Sequence, residues 1–226
     1  MLEIKDVKVA YLEDSVIASK NAFLLVPTIF NSDDERHEAF LEALPRAIKL
    51  AKAGGGTGHS SFRKGIRVNF TMKYTQYITK QFQRYRDFIY VTSTSMMHKI
   101  TSMKFDDCCN KYVSQETVDK MNHLIHQHNL ITKVTDDNIK MDFTLRDGEV
   151  IHANNRAECL YYQYMTIISE CPMGAELYVD ISTNYECLAT ISKQRKGHKL
   201  KEDWGVFLDM VRSLPYAKEL IPEAFL

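Results

Sequence analysis

Two arginines, Arg84 and Arg86, could bind anionic groups near the end of a helix predicted for residues 75–88. The guanidinium group offers planar, bidentate hydrogen bonding that suits phosphate. Side chains two positions apart on a helix point in different directions, so the pair would serve two anionic groups rather than clamp one. The pattern indicates a phosphate or nucleotide site, or else a solvated basic face that also includes Lys80.

A loop with glycine and histidine precedes this helix and could add polar side chains to the same site. Gly58-His59-Ser60-Ser61 comes before an alternating segment, residues 66–70, that predicts a half-buried strand. Four glycines within residues 54–58 predict a flexible loop, which we interpret as a mobile lid beside His59 or as a plain linker. This loop is not a phosphate-binding P-loop, because no Lys-Ser/Thr pair follows at the required offset.

The remaining pattern predicts one domain, residues 1–226, of mixed α and β structure with helix slightly dominant. Strands are predicted at 7–12, 22–29 and 66–70, with a hairpin over 141–150 around Asp147-Gly148. Helices are predicted from a cap at Ser32 or Asp33 to about residue 52, and over 75–88, 114–129, 155–168, 184–193 and 203–214.

Composition narrows the classes of partner. The 226 residues include 29 Lys+Arg and 29 Asp+Glu, so the formal net charge is +0 and bulk attraction to a nucleic acid polymer or an anionic membrane is not expected. No apolar run is long enough to cross a membrane and the first residues do not resemble a signal peptide, so we expect a cytoplasmic protein. The five cysteines predict reduced thiols, and no metal site is expected.

Two blocks of the sequence resemble the flavin-dependent thymidylate synthases. The first reads Gly58-His59-x-Ser61, a strand, and then Gln81-x-x-Arg84-x-Arg86; the second reads Cys171-Pro172, then Asn184 and Arg195. Both align with the family's motifs in order and without gaps. The resemblance implies an α+β single domain with a central, mostly antiparallel sheet flanked by helices.

The resemblance also implies an activity and site residues. The family uses FAD, reduced by a nicotinamide cofactor such as NADPH, to move a one-carbon unit from methylenetetrahydrofolate to deoxyuridylate. Its active site forms between the subunits of a homotetramer. The implied cofactor-binding residues are His59, Ser61, Arg84, Arg86 and Asn184. The implied substrate-binding residues are Gln81, Arg84, Thr94 and Arg195, of which Arg195 is also the catalytic candidate.

Five positions depart from the family pattern. Tyr85 replaces the central His of the Arg-His-Arg triplet, Met96 and Ile168 replace arginines, Lys64 replaces an acidic residue, and Glu186 replaces an arginine. Losing charged contacts to phosphate would weaken deoxyuridylate binding unless other groups replace them.

These departures leave two alternatives open. Residues 89–97 stand where the family has its nucleotide-binding arm and differ from it. Within this segment, Thr94 could still donate a hydrogen bond to a phosphate. The first alternative keeps fold and flavin but changes the chemistry to another pyrimidine nucleotide or to hydroxymethylation. The second is a non-catalytic nucleotide-binding or interaction module on the same scaffold.

Overall fold

The structure is a computed structural model that describes residues 1–26, 28–53 and 58–226. Its strands are β1 (Glu3–Ala10), β2 (Arg67–Thr75), β3 (Ile89–Ser93), β4 (Met141–Thr144), β5 (Val150–Ala153) and β6 (Glu176–Asn184). Its α-helices are α1 (Leu12–Ala18), α2 (Asp33–Lys52), α3 (Gln76–Phe82), α4 (Met96–Lys99), α5 (Gln115–Lys133), α6 (Arg156–Glu170), α7 (Tyr185–Arg195), α8 (Lys201–Arg212) and α9 (Ala217–Leu220). Short 3-10 helices lie at Asn21–Phe23, Ser61–Lys64, Ile100–Ser102 and Pro222–Ala224.

A four-stranded sheet in the order β1-β2-β6-β3 carries the elements of the candidate site. β1 pairs antiparallel with β2, and β3 pairs antiparallel with β6. Along β2, Val68, Phe70 and Met72 are buried while the residues between them are more exposed, which is the alternation of a half-buried strand. The expected α+β class with an antiparallel sheet is confirmed.

The predicted strand at residues 22–29 is wrong. This apolar run contains only the 3-10 helix Asn21–Phe23, and Leu25 and Ile29 are almost fully exposed; Pro27 lies outside the described residues. Apolar composition favours a strand only where a neighbouring strand accepts its backbone hydrogen bonds, and none pairs with the described residues of this run. The alternation of Leu177, Val179 and Ile181 in β6 was a strand signal that our predictions missed.

The cap of α2 that was predicted at Ser32 or Asp33 is Ser32, and α5 and α6 begin next to the predicted starts at residues 114 and 155. The side chains of Ser32, Ser114 and Asn155 cap α2, α5 and α6 by accepting hydrogen bonds from backbone N–H groups three residues ahead. The predicted hairpin around Asp147-Gly148 is confirmed as β4 and β5, and Gly148 has a positive φ of 89°. The glycine-rich segment 54–57 lies outside the described residues.

The described chain divides into two compact units, so the single domain stays a prediction. The first comprises residues 1–74, 78–93 and 178–226, with the sheet as its main feature; the second comprises residues 75–77 and 94–177. In the second unit, α5 and α6 pack around an apolar cluster that includes Phe105, Met121 and Ile167.

The described ranges lack the features of a membrane span, a metal cluster and a disulfide framework. No helix there combines the length and apolar character that membrane crossing requires. No group of three or more His, Cys, Asp or Glu side chains is arranged to hold a metal ion in that part of the chain. None of the five cysteines forms a disulfide within the described residues.

Candidate functional site

A cleft of 330 Å³ in the first unit brings two distant segments together. One wall is the turn that follows α3, residues 84–87. The other is one face of α7, where Glu186, Thr190 and Gln194 recur every four residues and therefore lie on the same side of the helix. Arg195, the last residue of α7, completes the lining. The cleft contains three arginines and two carboxylates.

Arg84 and Arg86 lie on a turn and not on the helix that we predicted for them. α3 ends at Phe82 rather than near residue 88. Beyond it, Tyr85 N–H donates to the Phe82 carbonyl and Phe88 N–H to the Tyr85 carbonyl, so the chain turns with its aromatic side chains inward. Burial of Tyr85 and Phe88 decides this geometry, and it leaves Arg84 and Arg86 exposed on the same cleft.

Arg195 is held in a fixed orientation by aromatic rings and hydrogen bonds. Only 7% of the residue is exposed. Its guanidinium carbon lies 4.8 Å from the ring centre of Trp204 and 5.5 Å from that of Tyr85. Its Nε donates to the Tyr85 hydroxyl at 2.8 Å, and its Nη2 donates to the Gln81 carbonyl at 3.4 Å. Gln81 thus contributes a backbone oxygen that orients Arg195.

Tyr85 connects the two walls of the cleft. Its hydroxyl accepts the Arg195 hydrogen bond and donates to Gln194 Oε1 at 3.0 Å. Burial raises the pKa of Tyr85 although Arg195 opposes the shift, so the hydroxyl keeps its proton at neutral pH and can donate. The tyrosine that departs from the family pattern therefore fills a structural position between α3 and α7.

The cysteine that lines the cleft is not a reactive thiolate. Cys187 is buried, and burial raises the pKa of its thiol to about 11. A thiol with this pKa is almost entirely protonated at neutral pH, so Cys187 does not supply a thiolate nucleophile.

A buried ion network fixes Glu186 at the wall of the cleft. Arg63, which is completely buried, donates from Nε to Glu186 Oε2 at 2.7 Å and from Nη1 to both oxygens of Glu223 at 3.1 Å. Its Nη1 also donates to the Leu220 carbonyl, while Nη2 has no partner among the described residues. Sequence reasoning missed Arg63, because nothing in the neighbourhood of residue 63 signals burial.

The Gly-His loop reaches the cleft through Ser60 rather than through the residues we singled out. Ser60 is buried, and its hydroxyl donates to Glu186 Oε1 at 3.1 Å. His59 and Ser61 are exposed on either side of it. Their predicted roles toward flavin remain predictions.

The side chain of Asn184 has a structural role. It is 3% exposed, and its Oδ1 accepts a hydrogen bond from Cys187 N–H at 2.9 Å, which caps the N-terminus of α7. Its side-chain carbonyl oxygen therefore caps the helix that lines the cleft, and its predicted flavin contact stays a prediction.

We expect Asn184→Ala to lower the free energy of unfolding by about 1 kcal/mol, because the first turn of α7 loses its cap. Denaturant unfolding measures this. Asn184→Asp restores an oxygen acceptor and should recover most of the loss, whereas equal destabilisation by both variants would contradict the capping role.

Three further residues lie in the second unit. Thr94 is partly buried just before α4, and its predicted substrate role stays a prediction. Met96 and Ile168, which stand where the family has arginines, pack against that unit's apolar cluster. Apolar packing explains why uncharged residues are stable at these two positions.

Known structures share the fold. A crystal structure of the flavin-dependent thymidylate synthase ThyX from Helicobacter pylori, complexed with FAD and dUMP, matches with a TM-score of 0.57 and 12% identity, over 97% of this chain and 96% of that one. A second structure of ThyX from the same organism, also with FAD and dUMP, matches with a TM-score of 0.57 and 11% identity, over 99% of both chains. No protein-family model and no curated protein sequence matches the chain. These likenesses show that the chain has the fold of these thymidylate synthase structures.

Proposed function

We propose that this protein is a flavin-dependent enzyme of the thymidylate synthase type. It would use FAD, with NADPH as reductant, to transfer a one-carbon unit from methylenetetrahydrofolate to a deoxypyrimidine monophosphate, dUMP giving dTMP. The observation that carries the proposal is the convergence of Arg84, Arg86 and Arg195 on one cleft, in a fold shared with enzymes that bind FAD and dUMP.

The residues of the cleft suit a phosphate-bearing ligand. Arg84 and Arg86 are exposed, and neither forms an ion pair within the described part of the chain. Arg195 is already oriented in the absence of a ligand, so binding does not cost the conformational entropy of ordering its side chain. A volume of 330 Å³ lies near the lower limit of ligand pockets and fits about one nucleotide.

FAD is larger than one nucleotide, so the rest of the cofactor needs a further surface. We propose that Arg84 and Arg86 help to bind the phosphates of both the flavin and the substrate nucleotide, that His59 and Ser61 border FAD, and that neighbouring subunits of a homotetramer supply the remaining contacts. When bound, FAD supplies the reducing equivalents that the one-carbon transfer requires. A cytoplasmic location belongs to the same proposal.

The decisive experiment measures flavin binding and turnover separately. We expect the purified protein to show flavin absorbance, or to quench the fluorescence of added FAD, and to release tritium from labelled dUMP when NADPH and methylenetetrahydrofolate are present. Colourless protein that ignores added FAD and releases no tritium would refute the proposal.

A double variant, Arg84→Gln with Arg86→Gln, tests the contribution of the two arginines. Both side chains are exposed, so the fold should change in stability by no more than about 0.5 kcal/mol. Loss of two charge-assisted phosphate contacts should weaken FAD binding by at least about 100-fold. Unchanged FAD affinity in this variant would remove the two arginines from the cofactor site.

A further inference from the structure

Arg63 and its two carboxylate partners do not balance in charge. Arg63 donates to both oxygens of Glu223 at 3.1 Å and to Glu186 Oε2 at 2.7 Å, so its single positive charge is shared by two carboxylates. Glu186 adds a second carboxylate, so the trio of Arg63, Glu186 and Glu223 carries one net negative charge. Of the two carboxylates only Glu186 is among the described residues that line the cleft, so part of this negative charge borders the cleft.

The Glu186 carboxylate is also fixed in orientation and can accept further hydrogen bonds. Each oxygen accepts one hydrogen bond, Oε1 from Ser60 and Oε2 from Arg63. An ionised carboxylate has about four acceptor sites, so about two remain. Glu186 lines the cleft and its side chain is 12% exposed, so part of the side chain is open to a bound molecule.

A fixed carboxylate distinguishes the parts of a nucleotide. It repels phosphate and carbonyl oxygens, and it accepts hydrogen bonds from amino groups and hydroxyls. Arg84 and Arg86 in the same cleft have the opposite preference. The cleft is therefore suited to a ligand that has an anionic group and, separately, a neutral group rich in hydrogen-bond donors.

We propose that Glu186 is a specificity residue that selects a nucleotide by an additional hydrogen-bond donor, either the amino group of a cytosine or the 2′-hydroxyl of a ribose. This inference rests on the proposed nucleotide site, and it replaces dUMP as the preferred ligand of that site by a cytosine nucleotide or a ribonucleotide. The uracil edge of dUMP offers one N–H between two carbonyl oxygens, so dUMP is the poorest match to the carboxylate among the three nucleotides dUMP, dCMP and UMP.

The experiment compares these three nucleotides on the full-length protein by calorimetry. All three have one phosphate, so the arginines contribute equally and the ratios isolate the donor group. We expect dCMP or UMP to bind at least about tenfold more tightly than dUMP, since a hydrogen bond to a charged group is of that size. A preference for dCMP identifies the amino group as the source, and a preference for UMP identifies the hydroxyl.

Glu186→Gln tests the residue itself. The amide keeps the shape of the side chain and one acceptor but loses the charge, so the preference should fall below about threefold. Glu223→Gln is the matched control, because it removes the other carboxylate from the same arginine outside the cleft. The control should keep the wild-type preference.

Three outcomes would overturn the inference. The first is tight binding of all three nucleotides without preference, which leaves the proposed nucleotide site intact. The second is equal loss of preference in Glu186→Gln and Glu223→Gln, which would assign the effect to Arg63. The third is no binding of any nucleotide, which, together with no response to FAD, removes the proposed function as well.

Discussion

Replacing Arg63 with methionine should lower the free energy of unfolding by about 3–5 kcal/mol, the largest stability effect that we expect from one substitution in this protein. The change removes the only cation that contacts both Glu186 and Glu223 among the described residues. These carboxylates are 12% and 10% exposed, so water cannot fully solvate the charges that remain. Denaturant unfolding followed by circular dichroism measures the loss.

Two variants show whether the loss comes from uncompensated charge. A triple variant, Arg63→Met with Glu186→Gln and Glu223→Gln, leaves no ion behind and should recover at least half of the stability. Lys20→Met removes the cation of an ion pair with Glu42, a residue 77% exposed, and should cost less than about 1 kcal/mol. If the triple variant is no more stable than Arg63→Met alone, lost packing rather than charge explains the effect.

Arg195→Gln should weaken nucleotide binding by at least about 100-fold, the largest binding effect that we expect from one substitution. The variant would remove the proposed charge-assisted contact of a guanidinium group that Tyr85, Trp204 and the Gln81 carbonyl hold in place. Calorimetric titration with dUMP and dCMP measures the change. Arg195→Lys should recover only part of the affinity, because a flexible ammonium group cannot reproduce the planar, stacked guanidinium.

Two controls separate the cleft from general effects of charge. Lys193→Gln removes the same charge from the same helix, at an exposed position outside the cleft, and should change affinity by less than about threefold. Tyr85→Phe keeps the ring but loses the hydroxyl that accepts the hydrogen bond from Arg195 Nε. The nucleotide affinity of this variant should therefore lie between that of the wild type and that of Arg195→Gln. Equal losses in Lys193→Gln and Arg195→Gln would mean that net charge, rather than a specific contact, governs binding.

The amino-acid sequence by itself determined the features that depend on neighbouring residues. Ser32, Ser114 and Asn155 cap helices through bonds to backbone groups three residues away, and Asp147-Gly148 turns a hairpin. Such signals lie within a few residues, so the order of residues is enough to find them. Family motifs added Arg84, Arg86 and Arg195, which line one cleft in the structure.

Only the tertiary structure decided the electrostatics of the cleft and the position of several elements. Arg63 contacts Glu186, which is 123 residues away in the sequence, and Glu223, which is 160 residues away, so no local pattern reveals that Arg63 is buried or that it holds two carboxylates. The apolar run at residues 22–29 resembles a strand, and whether it becomes one depends on a partner elsewhere in the chain. Burial and pairing over long separations set these outcomes, because the free energy of a charge or a strand edge depends on what packs against it after folding.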